Sequence, residues 1–343
     1  MIQGELSLLL IFPNPLFEPQ MNKTFNLFTS SIAVLMLSAC AGGGGGGGSS
    51  SGGGVTVTPF TSWSAIQPNS TVQATGGLST YFDYSSSGVG PLVSSTTASF
   101  TGTYGSVQSD GYVYLQSATI SSGTSSGNPS VTFDKAAGDT IAVATNGALA
   151  GIATGMIKAD GTAVAIAAEP QALGWNYQTY GIWVSGDTAG YAGAVSVGSP
   201  TAVTGIPSTG TGNFSGNASG FYLNSAGTDT YFTTANMTAT TNFATRSISF
   251  STSGTTISTN LTSFVVPSTY GIGNLNMTGT LTYAAGSNLI SGAVTASGAS
   301  ANSLTGTANG KFFGPSANEI GGTYGLSNVG TSERLIGGFG GKR

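Results

Sequence analysis

Cys40 is the only thiol in the 343-residue chain. A lone cysteine with no ligand cluster around it can act as a nucleophile or accept a covalent adduct. Leu37, Ser38 and Ala39 precede it, and the two small side chains leave the backbone beside Cys40 open to a peptidase. The chain has no histidine, which removes Ser-His-Asp and Cys-His catalysis, imidazole metal sites and histidine-ligated haem. Thirteen tyrosines offer phenolate ligation in principle, with no motif that selects one. Gly123-Thr124-Ser125-Ser126-Gly127 has Gly-x-Ser-x-Gly spacing, but it lies in a Ser/Gly-rich turn with no base to serve it. Asp134 with Asp139, and Asp160 with Glu169, are the nearest acidic pairs, and they read as solvated loop charges rather than a glycosidase dyad. The sequence therefore predicts no catalytic residue, no metal site and no cofactor. Trp175, Tyr177, Tyr180 and Trp183 form an aromatic cluster that is the candidate contact with a ligand or partner. The competing reading packs alternate members into the N-terminal core.

The segment before Cys40 has a three-part layout from Met21: Lys23, then an apolar run from Phe25 to Leu37, then Ser38 and Ala39. A run of roughly 13 residues is short of the ~20 that span a bilayer and fits a secretory leader. Residues before Met21 include Glu5, Glu18, Pro13, Pro15 and Pro19, which suit no leader, so translation is expected to start at Met21. Leu37-Ser38-Ala39-Cys40 resembles the lipobox of bacterial lipoproteins, cut before a cysteine that becomes the lipidated N-terminus. The resemblance implies a thioether-linked diacylglycerol and an N-acyl chain on Cys40. One acyl chain binds only marginally, at about 0.8 kcal/mol per buried CH₂, so several together anchor the chain to the membrane. Ala41 follows, with no Asp there to signal inner-membrane retention, and the expected location is the outer membrane.

Residues 41–54 are a Gly/Ser linker, a flexible coil that lifts the folded body off the headgroups. The chain beyond is long enough for two domains. Charged residues make up 6% of the sequence, against about 25% in ordinary soluble domains. Ser, Thr, Asn and Gly must therefore supply the polar surface. Removing residues 1–40 removes Glu5, Glu18 and Lys23 and leaves ten acidic and seven basic residues, a net charge of −3. With no basic stripe, nucleic-acid binding is excluded.

From Val55 onward, segments of 8–11 residues alternate in polarity between turn signals, which predicts an all-β antiparallel fold. Leu275, Met277, Gly279, Leu281 and Tyr283 share one face, with Asn276, Thr278, Thr280 and Thr282 on the other. Ile290 to Ala296 and Ile320 to Leu326 repeat the pattern. Further strands are expected at 213–223, 230–241, 243–251, 256–265, 304–313 and 334–341, enough to close a barrel of about eight strands. Inward-looking glycines relieve crowding in a small barrel. Asn224 to Gly227 and Ala285 to Asn288 read as hairpin loops. Ile141 to Ile157 reads as a buried strand pair or short packed helix rather than a membrane span.

The run from Lys311 to Tyr324, containing Phe312-Phe313-Gly314-Pro315-Ser316-Ala317-Asn318-Glu319-Ile320-Gly321-Gly322, resembles the signature of the transferrin-binding protein B barrel domain. In that family a Gly-aromatic-Gly string closes the barrel; here it is Gly338-Phe339-Gly340-Gly341. Ile206 to Gly210 and Gly216 to Tyr222 resemble the entry to the same barrel. The resemblance covers roughly 206–343; over 55–205 it rests on Tyr177-Gln178-Thr179-Tyr180-Gly181-Ile182-Trp183 and the general β pattern. It implies a β-rich handle-like domain over 55–205 followed by the barrel, as a single lobe where the transferrin receptor has two. Pro315 stops strand pairing, Glu319 can accept from turn amides, and Gly321-Gly322 allow a close approach, so these residues read as structural.

The expected function is that of a surface-exposed outer-membrane lipoprotein binding a protein or small solute, in metal or nutrient uptake with an outer-membrane transporter as partner. The alternative is a structural or adhesive coat lipoprotein whose Ser/Thr/Gly surface is itself the working part.

Overall fold

The alternating segments form strands, and two closed or nearly closed β units account for the structure. The computed structural model describes residues 55–56, 62–108, 112–123, 129–144, 149–258, 275–297 and 303–343. Cys40, Leu37, Ser38, Ala39, the linker, Ser125 and residues 259–265 of a predicted strand lie outside the described residues.

The N-terminal unit comprises β1 (Val55–Thr56), β2 (Thr71–Ser85), β3 (Gly88–Val89), β4 (Val93–Val107), β5 (Val113–Ser121), β6 (Ser130–Asp134), β7 (Thr140–Val143), β8 (Ala153–Ile157), β9 (Ala163–Ala168), β10 (Gln178–Gly186) and β11 (Gly190–Gly198). Its order is β6-β5-β4-β2-β11-β10-β9-β8-β7, with β1 and β3 paired to β2. The Ile141–Ile157 segment is the antiparallel pair β7 and β8. The sheet curls round Trp63, Tyr81, Phe100, Phe133, Met156 and Trp183, all buried. Its end strands meet at Asp139, whose carboxylate accepts from Lys158 Nζ (2.9 Å), Ala159 N (2.9 Å) and Asp134 N (2.8 Å).

The C-terminal unit is a closed antiparallel barrel of β12 (Thr211–Leu223), β13 (Thr230–Asn242), β14 (Ser247–Ser258), β15 (Met277–Tyr283), β16 (Ile290–Ser297), β17 (Ser303–Phe313), β18 (Glu319–Ser327) and β19 (Arg334–Lys342). The fold is thus the all-β handle-like sheet and eight-stranded barrel that the sequence implies. One expected break is missing. The pattern predicts two strands over 243–251 and 256–265, whereas β14 runs unbroken across Gly254. There Gly254 adopts φ +63° and the register to β13 shifts between Thr234 and Asn236. A glycine in the left-handed region lets the strand absorb an extra residue as a bulge instead of stopping.

The barrel interior is filled, as eight strands allow. At one end Phe312 meets Phe214, Phe243 and Tyr283 at centroid distances of 6.0, 5.7 and 5.3 Å. At the other Tyr222 stacks on Tyr231, and its hydroxyl donates to buried Glu333 (2.7 Å), which also accepts from Asn328 (2.9 Å). Outside, one ring of paired positions reads Ser215, Thr238, Ser251, Thr278, Thr295 and Thr305. Thr238 and Ser251 hydroxyls lie 2.9 Å apart across the strands. A membrane-spanning barrel needs an apolar band there; this row, across six strands, is made of hydroxyls.

Burial alone would raise the Asp139 pKa, but the Lys158 hydrogen bond, the two amides and the Lys158 charge together hold it below its ordinary value. A depressed folded-state pKa contributes stability above the unfolded value, about 3.9, and loses it as pH falls through the folded one. Thermal melting of wild type should therefore fall on acidification below about pH 4, and Asp139→Asn should flatten that component while lowering stability at neutral pH. An unchanged acid limb in the variant would show that Asp139 does not carry it.

Candidate functional site

Strands β10, β11, β18 and β19 are buried along almost their whole length rather than in alternation. Each has one face in its own unit's core and the other in the seam between handle and barrel. Along β10 the even positions Tyr180, Ile182 and Val184 face the barrel, and Trp183 faces the handle interior. On the barrel side the seam positions are Gly321, Thr323 and Gly325 of β18 and Ile336, Gly338 and Gly340 of β19. Four of these six are glycine, so the handle side chains rest on barrel backbone. A Cβ on Gly338 would lie 2.5 Å from the Tyr180 ring, and one on Gly340 would lie 2.8 Å from Trp175. The glycines are thus divided between the two faces. Gly322, Gly337 and Gly341 ease the barrel interior, as expected, and the others admit the handle.

Polar contacts fix the seam. Glu319 is buried, and its Oε1 accepts from Asn176 N (2.6 Å) and its Oε2 from Tyr177 N (3.0 Å). Burial pushes the Glu319 carboxyl above its usual range, with the amides of Asn176, Tyr177 and Gln178 and the Lys342 charge pulling the other way. The turn amides expected for Glu319 are therefore those of the handle. Tyr180 OH contacts Asn217 Oδ1 at 3.0 Å and Ser219 Oγ at 3.1 Å, and the Thr80 and Thr323 hydroxyls lie 2.8 Å apart. The connection between units is stitched to the same signature. Thr201 N donates to Phe312 O (2.8 Å), Thr201 Oγ1 to Gly314 O (2.6 Å) and Gly314 N to Ser199 O (3.0 Å).

The aromatic cluster is divided by this arrangement. Trp175 and Tyr180 are buried at the lower seam with rings 6.0 Å apart. Trp183 is buried on the opposite face of β10, and Tyr177 is half-buried beside Gly314. Only Tyr177 keeps surface for another molecule.

At its upper end the seam opens into a cleft of about 290 Å³ that sequence reasoning did not find, because its walls come from both units. The floor is Phe82, Tyr84, Val184, Ala192 and Phe221, with Asp160 and Asp187 from two handle turns and Arg334 from the start of β19. Burial, then the Asp187 charge, pushes the Tyr84 hydroxyl up to about 12. Its proton is committed to Ser185 O (2.9 Å) and Gly186 O (3.0 Å). Nothing here resembles an acid–base pair. Among the described residues no three of His, Cys, Asp and Glu come together as a metal site.

A curled β handle seated on a filled eight-stranded barrel defines a two-unit, all-β lobe. The family model described as the C-lobe and N-lobe beta barrels of Tf-binding protein B matches residues 206–343. Residues 206–343, the C-terminal barrel, accordingly match the barrel domain of that family. Solved structures similar to the chain include a point mutant of the vaccine antigen transferrin binding protein B from Haemophilus parasuis Hp5, at 11% identity over 84% of this chain and 78% of that one, TM-score 0.42. Isotype 1 transferrin binding protein B from serogroup B Neisseria meningitidis is similar at 11% identity over 80% and 77%, TM-score 0.37. A point mutant of the antigen from Actinobacillus pleuropneumoniae H49 follows at 16% over 48% and 76%, TM-score 0.32. No curated protein matches the chain.

Two substitutions test the seam. Gly338→Val should destabilise the lobe by about 3 kcal/mol, because the new side chain meets Tyr180 with backbone behind it. Gln178 has both side-chain polar atoms buried without partners, under Gly321 and Gly340. Gln178→Met should raise stability by about 1 kcal/mol, since it removes an unsatisfied amide at similar volume. Denaturant unfolding reads both, and a neutral Gly338→Val would refute close packing at the seam.

Proposed function

We propose that this chain is a lipid-anchored, non-catalytic binding module on the outer face of the outer membrane, taking a protein or small solute in metal or nutrient acquisition. The observation that carries the reading is the convergence of handle turns (Asp160 to Ala163, Gly186 and Asp187) and barrel strand ends (Leu223, Thr230, Arg334) around one cleft. Ligand sites favour such junctions between units. The rest of the chain serves presentation. Cys40, cut after Leu37-Ser38-Ala39, carries the lipid, residues 41–54 set the stand-off, and the seam fixes the two walls relative to each other. The family's barrels are described by their transferrin-binding members; for this chain the partner is proposed at the level of class, with an outer-membrane transporter as the protein that accepts what is captured. Half-buried Tyr177 is the member of the aromatic cluster proposed to touch a partner.

The row of hydroxyls across six barrel strands favours a second reading, a coat or adhesive lipoprotein with no specific soluble ligand. A neutral hydroxylated surface gives no electrostatic steering and suits close crowding on a cell.

Protease treatment of intact cells bearing a C-terminal tag, with a periplasmic control, tests the location. Loss of the tag while the control survives is the expected result, and Cys40→Ala should leave the membrane fraction. Protection of the tag until the outer membrane is broken would overturn the surface reading.

A further inference from the structure

The charges in the cleft have a pattern that its apolar floor does not require. Arg334 Nη1 donates to Thr331 O (3.1 Å) and Glu333 O (2.9 Å), and Nη2 reaches Gly90 O at 3.5 Å. These carbonyls hold the guanidinium in place, yet none neutralises it. Its Nε is buried with no hydrogen-bond partner. Among the described residues the ion pair that forms is Lys158 with Asp139, so Arg334, Asp160 and Asp187 all lack an opposite charge at contact distance. A half-buried cation without a counter-charge is costly, and a pre-positioned guanidinium binds carboxylates well.

On the handle wall the signs reverse. Asp160 is exposed, and its hydrogen bonds run through Oδ1 to Thr162 N (2.9 Å) and Oγ1 (2.7 Å). Asp187 stands exposed in the β10–β11 turn and acts on the Tyr84 hydroxyl beneath it. The cleft is therefore lined by a held cation from the barrel, two carboxylates from the handle, and an aromatic and aliphatic floor. Its volume of about 290 Å³ sits at the lower end of small-molecule sites, about 300–1,000 Å³, and is too small to enclose a folded loop.

We propose that the cleft binds a small zwitterion with an apolar body, the chemical class of apolar α-amino acids: carboxylate on Arg334, ammonium toward Asp160 and Asp187, side chain on Phe82, Tyr84 and Phe221. The inference rests on the binding-module reading and names the solute class for it. An anion alone would leave the two carboxylates facing it. A cation alone would leave Arg334 uncompensated. A zwitterion satisfies both walls at once.

Isothermal titration of the purified lobe with L-phenylalanine, 3-phenylpropionate and phenethylamine tests it. These probes share the apolar body and carry both charges, the carboxylate only and the ammonium only. Saturable binding of L-phenylalanine is expected, with each single-charge analogue weaker by about tenfold or more, the cost of one lost charge-assisted contact. Asp187→Asn, on an exposed turn, should weaken L-phenylalanine several-fold and leave 3-phenylpropionate unchanged. Arg334→Lys should weaken both carboxylate-bearing probes, and its thermal melt checks that the hairpin still folds. Phenethylamine binding as tightly as L-phenylalanine would overturn the proposal in favour of a site for a basic side chain of a protein partner. No saturable binding of any probe at millimolar concentration would also overturn it, while surface exposure of the tag would leave the binding-module reading standing.

Discussion

Two sheets cannot lie closer than their side chains permit, and facing sheets ordinarily pack about 10 Å apart. In this lobe one of the two surfaces has shed side chains at four of the six seam positions on β18 and β19. Tyr180, Gln178 and Trp175 therefore lie directly against the barrel backbone. Everything else at the seam follows from that approach. Glu319 can reach the amides that begin β10 only because the handle is drawn in, and the Thr80–Thr323 and Tyr180–Asn217 contacts have the same requirement. The cleft is the place where the approach ends. Above Ile336 the barrel's last strand gives way to Arg334 and the handle's turns flare outward.

Much of the fold was legible because its rules are local. Period-two alternation at Leu275 to Tyr283 gave a strand whose Leu281 is buried and whose Thr280 is exposed. Asn224 to Gly227 gave a turn capped by the Asn224 side chain on the Thr228 amide (2.9 Å). The signature around Glu319 was recognisable as structural, though not as a surface for another unit. The break expected between residues 251 and 256 is absent for a physical reason: a glycine between two apolar runs looks the same whether it ends a strand or bulges one, and pairing with β13 decides which.

The candidate site was far less legible. Trp175, Tyr177, Tyr180 and Trp183 drew attention by proximity in sequence, but β10 has two buried faces, so Tyr180 joins Trp175 at the seam, Trp183 enters the handle core and Tyr177 stays half-buried. Asp187 and Arg334 gave no signal at all, and Asp160 stood out only as half of an acidic pair with Glu169. Each is an isolated charge in a turn or at a strand end, and over 140 residues separate Asp187 from Arg334 in sequence. Charge thrift is the one clue that could have served. In a chain with so few ionisable groups, those that fall at turns stand apart from a hydroxyl background, and three of them share one cleft.

The closing pair of the barrel joins β12 to β19, with Leu223 opposite Arg334 and Ser215 opposite Lys342, and β19 is also the strand on which Tyr180 rests. The same nine residues thus finish two structures at once. Until they arrive, β12 has an open edge, β18 lacks a neighbour and the handle has half its floor. A nascent chain has no self-sufficient intermediate with a sealed barrel, and its contacts are among the most distant in sequence, a topology that folds slowly. A chain with this topology stays threadable until its last strand is delivered.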